Sequence, residues 1–155
     1  MRKVEKGEKE FTASVWILTK SKPKKVLLVH HKKYDKWIQP GGYIEKFENP
    51  IEAAIREVKE ETGLNIDFIN KYLESTNDGV TNFLQLPEFF LEQKIPTYKD
   101  QPEHFHLDMQ YVIEVEEQIL KHNISESHGI GWFTKEEALK LPIHEDTMKI
   151  LEKLL

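Results

Sequence analysis

Cysteine is absent from the chain. That removes disulfides, thiolate metal sites and a cysteine nucleophile from consideration. No apolar run approaches the ~20 residues that a bilayer-spanning helix needs, so a membrane partner is not expected. The first ten residues, MRKVEKGEKE, lack the apolar stretch of a secretory signal, and a cytoplasmic address follows by default. Basic charge is not in excess either. The 22 Lys and Arg residues are outnumbered by 27 Asp and Glu, giving a net charge of −5. A broad nucleic-acid-binding surface is therefore disfavoured, although a small basic pocket for phosphates fits within an acidic whole. There is no internal repeat and no low-complexity segment. What is present is 155 residues, 39% hydrophobic and 32% charged. That is enough for one domain, residues 1–155, with a core of its own.

The chain opens with strand patterns. Phe11, Ala13, Val15 and Ile17 alternate with Trp16 on the other face, and Val26 to Val29 forms a short apolar run. The lysine-rich turn between them suggests a β-hairpin. Lys32 to Trp37 reads as a polar loop leading into the chain-turning run Gln39-Pro40-Gly41-Gly42. Further on, Phe105, Leu107, Met109, Tyr111 and Ile113 alternate as another strand. Thr134 to Glu137 has the pattern of a capping box, and Met148, Leu151 and Leu155 give a terminal helix an apolar side.

The segment from Asn49 to Gly63 is the most informative. Asn49 suits an N-cap, Pro50 the first helical position, Glu52 the acid of a capping box, and Gly63 the left-handed position beyond the C-terminus. A helix is predicted from Pro50 to Thr62. At ~100° per residue, Ile51, Ala54, Ile55 and Val58 form a core-facing stripe. Glu57, Glu60 and Glu61 lie beside it at i, i+3 and i+4. Three carboxylates on one turn repel one another. A divalent cation with a taste for oxygen would offset that cost. A solvated acidic face, with Arg56 and Lys59 supplying some relief, reads the same spacing without any metal.

From Gly42 to Leu64 the chain reads GYIEKFENPIEAAIREVKEETGL. Here Gly42, Glu48, Arg56, Glu57, Val58, Glu60, Glu61, Gly63 and Leu64 stand at the spacing of the Nudix box, and the segment resembles that box without a departure. The approach from Trp37 to Gly42 and the run from Gly131 to Leu139 are similar to other stretches of the family. The resemblance implies an α+β fold, an α/β/α sandwich with a mixed β-sheet between helices. It implies that Glu57, Glu60 and Glu61 bind the catalytic metal, Mg²⁺ with Mn²⁺ as a substitute, and that Gly42 lends its carbonyl. Arg56 is implied as a positioning residue, reaching Glu60 at i+4 or Glu48 across the loop.

The implied reaction is hydrolysis of a diphosphate linkage in a small nucleotide-like substrate, by attack of water at phosphorus. Glu60 and Glu61 are the candidates for taking the water's proton. A nucleoside triphosphate is the default substrate, with sugar nucleotides and other diphosphates open. The four-cysteine zinc module of certain NADH pyrophosphatases cannot exist here. Gly79-Val80-Thr81-Asn82 lacks the proline and tyrosine that often mark ADP-ribose and dinucleoside polyphosphate members. A non-catalytic, nucleotide-sensing module is the alternative, and the retained Glu48, Glu57, Glu60 and Glu61 argue against it.

Other residues carry two readings each. His104, His106 and Asp108 share a strand face with Glu114, either as a site or as a polar solvated face. Lys22, Lys24, Lys25, Lys32, Lys33 and Lys36 either steer an anion or decorate turns. Tyr34, Trp37, Tyr43 and Phe47 either stack on a base or pack the loops around the box. The bulky stretch from Leu84 to Leu91 is open to three readings: core, substrate lid or homodimer contact.

Overall fold

The computed structural model describes residues 2–68 and 74–155. Its centre is a parallel pair of long strands, β1 (Lys9–Thr19) and β6 (His104–Val115), in register from Lys9 opposite Phe105 to Thr19 opposite Val115. β5 (Phe89–Ile95) pairs antiparallel with the outer edge of β6. On its other edge β1 meets two short partners. β4 (Gly41–Tyr43) pairs with Thr12 to Ser14, and β2 (Lys25–His31) meets β1 at Leu18 opposite Val26. β2 then carries β7 (Ser127–Thr134) along its length and β3 (Lys36–Ile38) at its end. The mixed sheet is thus pinched between β1 and β2. The expected hairpin exists only as that one contact, because β1 gives one edge to the distant β6 and shares the other with β4.

Side-chain alternation assigns the two faces. Ala13, Val15 and Ile17 point to a core closed by α1 (Pro50–Thr62), which contributes Ala53, Ala54 and Val58. Trp16 and Leu18 point to the opposite core, closed by α2 (Lys135–Leu139) and α3 (Glu145–Leu154) through Ala138, Ile150 and Leu151. Burying a side chain such as Val58 or Leu151 contributes roughly 1.5–3 kcal/mol. This is the expected α/β/α sandwich. On α3 the apolar side is Thr147, Ile150 and Leu151, whereas Met148 is 44% exposed and adds little. Among the described residues no helix is long and apolar enough to cross a membrane.

α1 forms as its sequence dictates. The Asn49 side chain accepts from Glu52 N, Glu52 reaches back to Asn49 N, and Gly63 closes the helix at φ 77°. The buried stripe is rotated from the expected one. Ala53, Ala54, Val58, Glu61 and Thr62 are buried, while Ile51 and Ile55 are half-buried. Glu61 continues the line of Ala54 and Val58 by helical spacing, so this acid is carried inward under the sheet.

Candidate active site

The acids of α1 are arranged around one guanidinium. Arg56 grips Glu48 with two parallel bonds, Nε to Oε1 at 2.5 Å and Nη2 to Oε2 at 3.0 Å. Nη1 donates to Glu57 at 2.8 Å and to Glu60 at 3.3 Å, and Nη2 also donates to the Tyr43 carbonyl at 3.0 Å. Arg56 thus contacts both Glu60 and Glu48, the two alternative partners expected for it. The Glu48 bond holds that carboxyl below the usual range, and the Glu48 and Glu57 bonds raise the affinity of Arg56 for its own proton.

Glu57 and Glu61 differ from their outer neighbours. Burial pushes the Glu57 carboxyl upward against the pull of Arg56, and the charges of Glu60 and Glu126 add to the rise. Burial pushes Glu61 up to about 8, although its Oε1 accepts from Gly41 N at 2.9 Å; the charges of Glu57, Glu126 and Glu60 act in the same direction as burial. Glu60 stays on the solvent side of the stripe.

Two glycines make this closeness feasible. A Cβ on Gly42 would stand 2.5 Å from the Glu57 carboxyl carbon, and one on Gly41 would stand 2.5 Å from the Ala13 carbonyl oxygen. Among the described residues no three acidic or imidazole side chains converge into a preformed cation cage. The donor set nevertheless fits a hard divalent cation. Desolvated carboxylates crowd one another beside a backbone that only glycine can occupy, and a cation would relieve the repulsion that burial and mutual charge create.

Gly41 and Gly42 also border a cleft of about 980 Å³, on the face of the sheet opposite the α1 core. Its floor comes from the outward positions of three strands: Thr12 and Ser14 of β1, His106 and Asp108 of β6, Leu91 and Gln93 of β5. Its walls include His31, Lys33, Tyr34, Tyr43, Tyr98 and Gln101. Asp108 is buried and accepts from Thr12 Oγ1 at 2.8 Å, Ser14 Oγ at 2.9 Å and Gln110 Nε2 at 2.9 Å. Burial still keeps its carboxyl above the ordinary value. Burial also depresses His31 and His106 to about 4, with nearby positive charge adding to the effect, so both rings are neutral at physiological pH.

The candidates read from the sequence therefore separate. Glu48, Arg56, Glu57, Glu60, Glu61 and Gly42 are brought together. His106 and Asp108 reach the cleft, but His104 lies buried with Nδ1 2.8 Å from the Pro102 carbonyl, and Glu114 pairs with Lys24 at 2.6 Å. Tyr34 and Tyr43 line the cleft, whereas Trp37 packs edge-on against Phe133 at 5.1 Å. Phe47 is 90% exposed, with the Lys46 ammonium 5.6 Å from its ring centre. Of the lysines, Lys33 enters the cleft, Lys25 pairs with Glu117, and Lys32 donates to the Ile124 and Ser125 carbonyls. Phe90 and Leu91 border the cleft, while Leu84 and Leu86 are exposed.

Glu126 was not anticipated. The loop that carries it is tied to the end of α1 by Lys121 N donating to the Thr62 carbonyl and Asn123 Nδ2 to the Glu60 carbonyl. No spacing rule links Glu126 to the box, so only the folded loop brings its charge near Glu57 and Glu61.

With this geometry in hand, the likenesses to known proteins are consistent. Residues 9–154 match the model of the NUDIX domain. A crystal structure of a hydrolase of the NUDIX family from Clostridium perfringens superimposes with a TM-score of 0.71 at 31% identity, covering 94% of this chain and 98% of that one. A probable DHNTP pyrophosphohydrolase of Lactococcus lactis is 31% identical over 97 residues, which is 63% of this chain and 51% of the relative. The match thus spans about half the length of that relative. Diphosphoinositol polyphosphate phosphohydrolase 3-beta of Homo sapiens is 31% identical over 139 residues, 83% of this chain and 68% of the relative. By the span of the family match, the chain belongs to the Nudix hydrolase family.

Proposed function

We propose that residues 1–155 form a single Mg²⁺-dependent Nudix pyrophosphohydrolase domain, which cleaves a diphosphate bond in a nucleotide-like substrate, with a nucleoside triphosphate as the first expectation. One observation carries this reading: on one helix Arg56 gathers Glu57 and Glu60 and Gly41 N holds Glu61, and Gly41 and Gly42 also border a cleft large enough for a nucleotide. The pyrophosphohydrolase name of the Lactococcus lactis relative supports the same reaction class.

Glu57, Glu60, Glu61 and the Gly42 carbonyl would hold Mg²⁺, or Mn²⁺ in its place. When bound, such an ion neutralises diphosphate oxygens and lowers the pKa of a water. The chain's own groups then have separable tasks. Arg56, clamped bidentately by Glu48, sets the rotamers of Glu57 and Glu60. Glu61, closed in and bonded to Gly41 N, holds its position rather than exchanging with solvent. Glu60, on the open side, would accept the attacking water's proton, a reading that its exposure to solvent supports. The tyrosine-lined cleft takes the heterocycle.

The test is pyrophosphate and phosphate release from nucleoside triphosphates, sugar nucleotides, ADP-ribose and dinucleoside polyphosphates with Mg²⁺, wild type beside Glu60→Gln. Turnover of one class that is lost with the variant or with EDTA supports the proposal. Silence across the panel from a protein whose melting temperature rises with a nucleotide would replace it with a sensing module.

A further inference from the structure

Three cationic side chains line the cleft besides its histidines: Arg2, Lys33 and Lys94. Arg2 is neutralised by Glu10 at 2.7 Å, and Lys94 by Glu103 at 3.2 Å. Lys33 has no acid. Its Nζ donates to the amide oxygen of Gln101, and among the described residues no carboxylate lies within ion-pair distance. Gln101 is itself buried and anchored by donating to the Arg2 carbonyl at 3.0 Å. A half-buried ammonium with only a neutral acceptor leaves two N–H donors and a full charge uncompensated.

The loop that presents Lys33 is held in place. His31 Nδ1 accepts from Lys33 N at 3.2 Å and from Tyr34 N at 3.4 Å, and the His31 ring stacks on Tyr34 at 4.4 Å. Asp35 N closes the turn on the His31 carbonyl at 2.9 Å, with Asp35 at φ 51°. The ammonium group lies 5.4 Å from the ring centre of Tyr34 and 5.5 Å from that of Tyr98. Cation–π contacts with two rings soften the cost of the unpaired charge without cancelling it.

We propose that Lys33 is a specificity-determining residue that binds the phosphoryl group attached to the nucleoside, giving the cleft an anion site that works without metal. The inference rests on the reading of the cleft as the substrate site. An uncompensated cation favours an anion over any neutral partner. The aromatic faces around it suit a heterocyclic base, so the phosphoryl group nearest that base is the one Lys33 reaches. This group stays with the nucleoside when the anhydride is cleaved.

The experiment is calorimetric titration in EDTA of guanosine and adenosine monophosphates and the matching nucleosides, against wild type, Lys33→Met and Lys33→Arg. Wild type should prefer at least one monophosphate over its nucleoside by about tenfold or more, the worth of one charge-assisted contact. Lys33→Met should lose most of that preference and keep nucleoside affinity, and Lys33→Arg should retain it. In turnover with Mg²⁺, Lys33→Met should raise KM about tenfold and alter kcat less than threefold, as expected for a contact made equally in ground and transition states. An unchanged preference in Lys33→Met overturns the proposal. So does a parallel loss of nucleoside and monophosphate affinity, which would make Lys33 a base contact, and so does a wild type with no preference. Because metal is omitted, the two readings fail separately. A wild type that hydrolyses nothing yet shows the Lys33-dependent preference loses the hydrolase reading and keeps the anion site. An active wild type without the preference loses the anion site alone.

Discussion

Glu61→Gln in the metal-free protein should stabilise the fold while abolishing its chemistry. Glu61 is buried, and its carboxyl is pushed from the ordinary 4.5 up to about 8. The folded protein therefore holds a proton that the unfolded chain releases between those values. With a raised folded pKa, the stability contribution of this acid is fully present below 4.5 and is lost as pH rises through 8. At pH 7 the loss amounts to about 1.4 kcal/mol for each pH unit above the ordinary 4.5, or about 3.5 kcal/mol at most. Glutamine keeps an oxygen for Gly41 N and has no charge to desolvate, so the loss disappears. For a chain of this size the gain corresponds to a melting temperature about 7–14 °C higher at most. The assay is calorimetric melting of both proteins in EDTA from pH 5 to 8.5, read as a difference curve so that the acid-side penalties of His31 and His106 cancel. The difference should grow with pH, and Mg²⁺ should raise wild type more than the variant. A variant that melts below wild type at pH 8, or a flat difference curve, would refute the reasoning that burial strains this carboxylate.

Gly42→Ala should spare stability and damage turnover. The new Cβ would fall 2.5 Å from the Glu57 carboxyl carbon, forcing that side chain aside by about 1 Å, a misplacement that costs roughly 10²-fold in kcat; steady-state kinetics within threefold of wild type would show that Glu57 is not part of the chemistry. Arg56→Lys should fail as a conservative replacement. One ammonium cannot reproduce the fork on Glu48 together with the bonds to Glu57, Glu60 and the Tyr43 carbonyl, so kcat should fall about 10²-fold, and full activity in the variant would show that point charge alone suffices.

α1 was legible in the sequence because everything that makes it is local. Asn49, Pro50, Glu52 and Gly63 satisfy the helix ends within a few residues of chain, and the expected bounds match the observed Pro50–Thr62. The strand periods were legible for the same reason, since alternation at Phe11 to Ile17 and Phe105 to Ile113 is a property of successive residues. The pairing of those strands was not. Lys9 to Thr19 lies against His104 to Val115, a choice made by packing across the whole chain rather than by the lysine-rich turn that suggested a hairpin.

By itself, then, the sequence determined the helix, its acidic stripe and the Nudix box, where short spacing decides which residues can meet. Only the tertiary structure decided that Glu61 lies on the buried line of Ala54 and Val58 while Glu60 faces water, because helix rotation depends on what the helix packs against. It alone brought Glu126 to the acids, and Lys33, Tyr98 and Gln101 to one cleft. Those residues come from segments far apart in the chain, and no local pattern records a meeting that burial and long-range strand pairing impose.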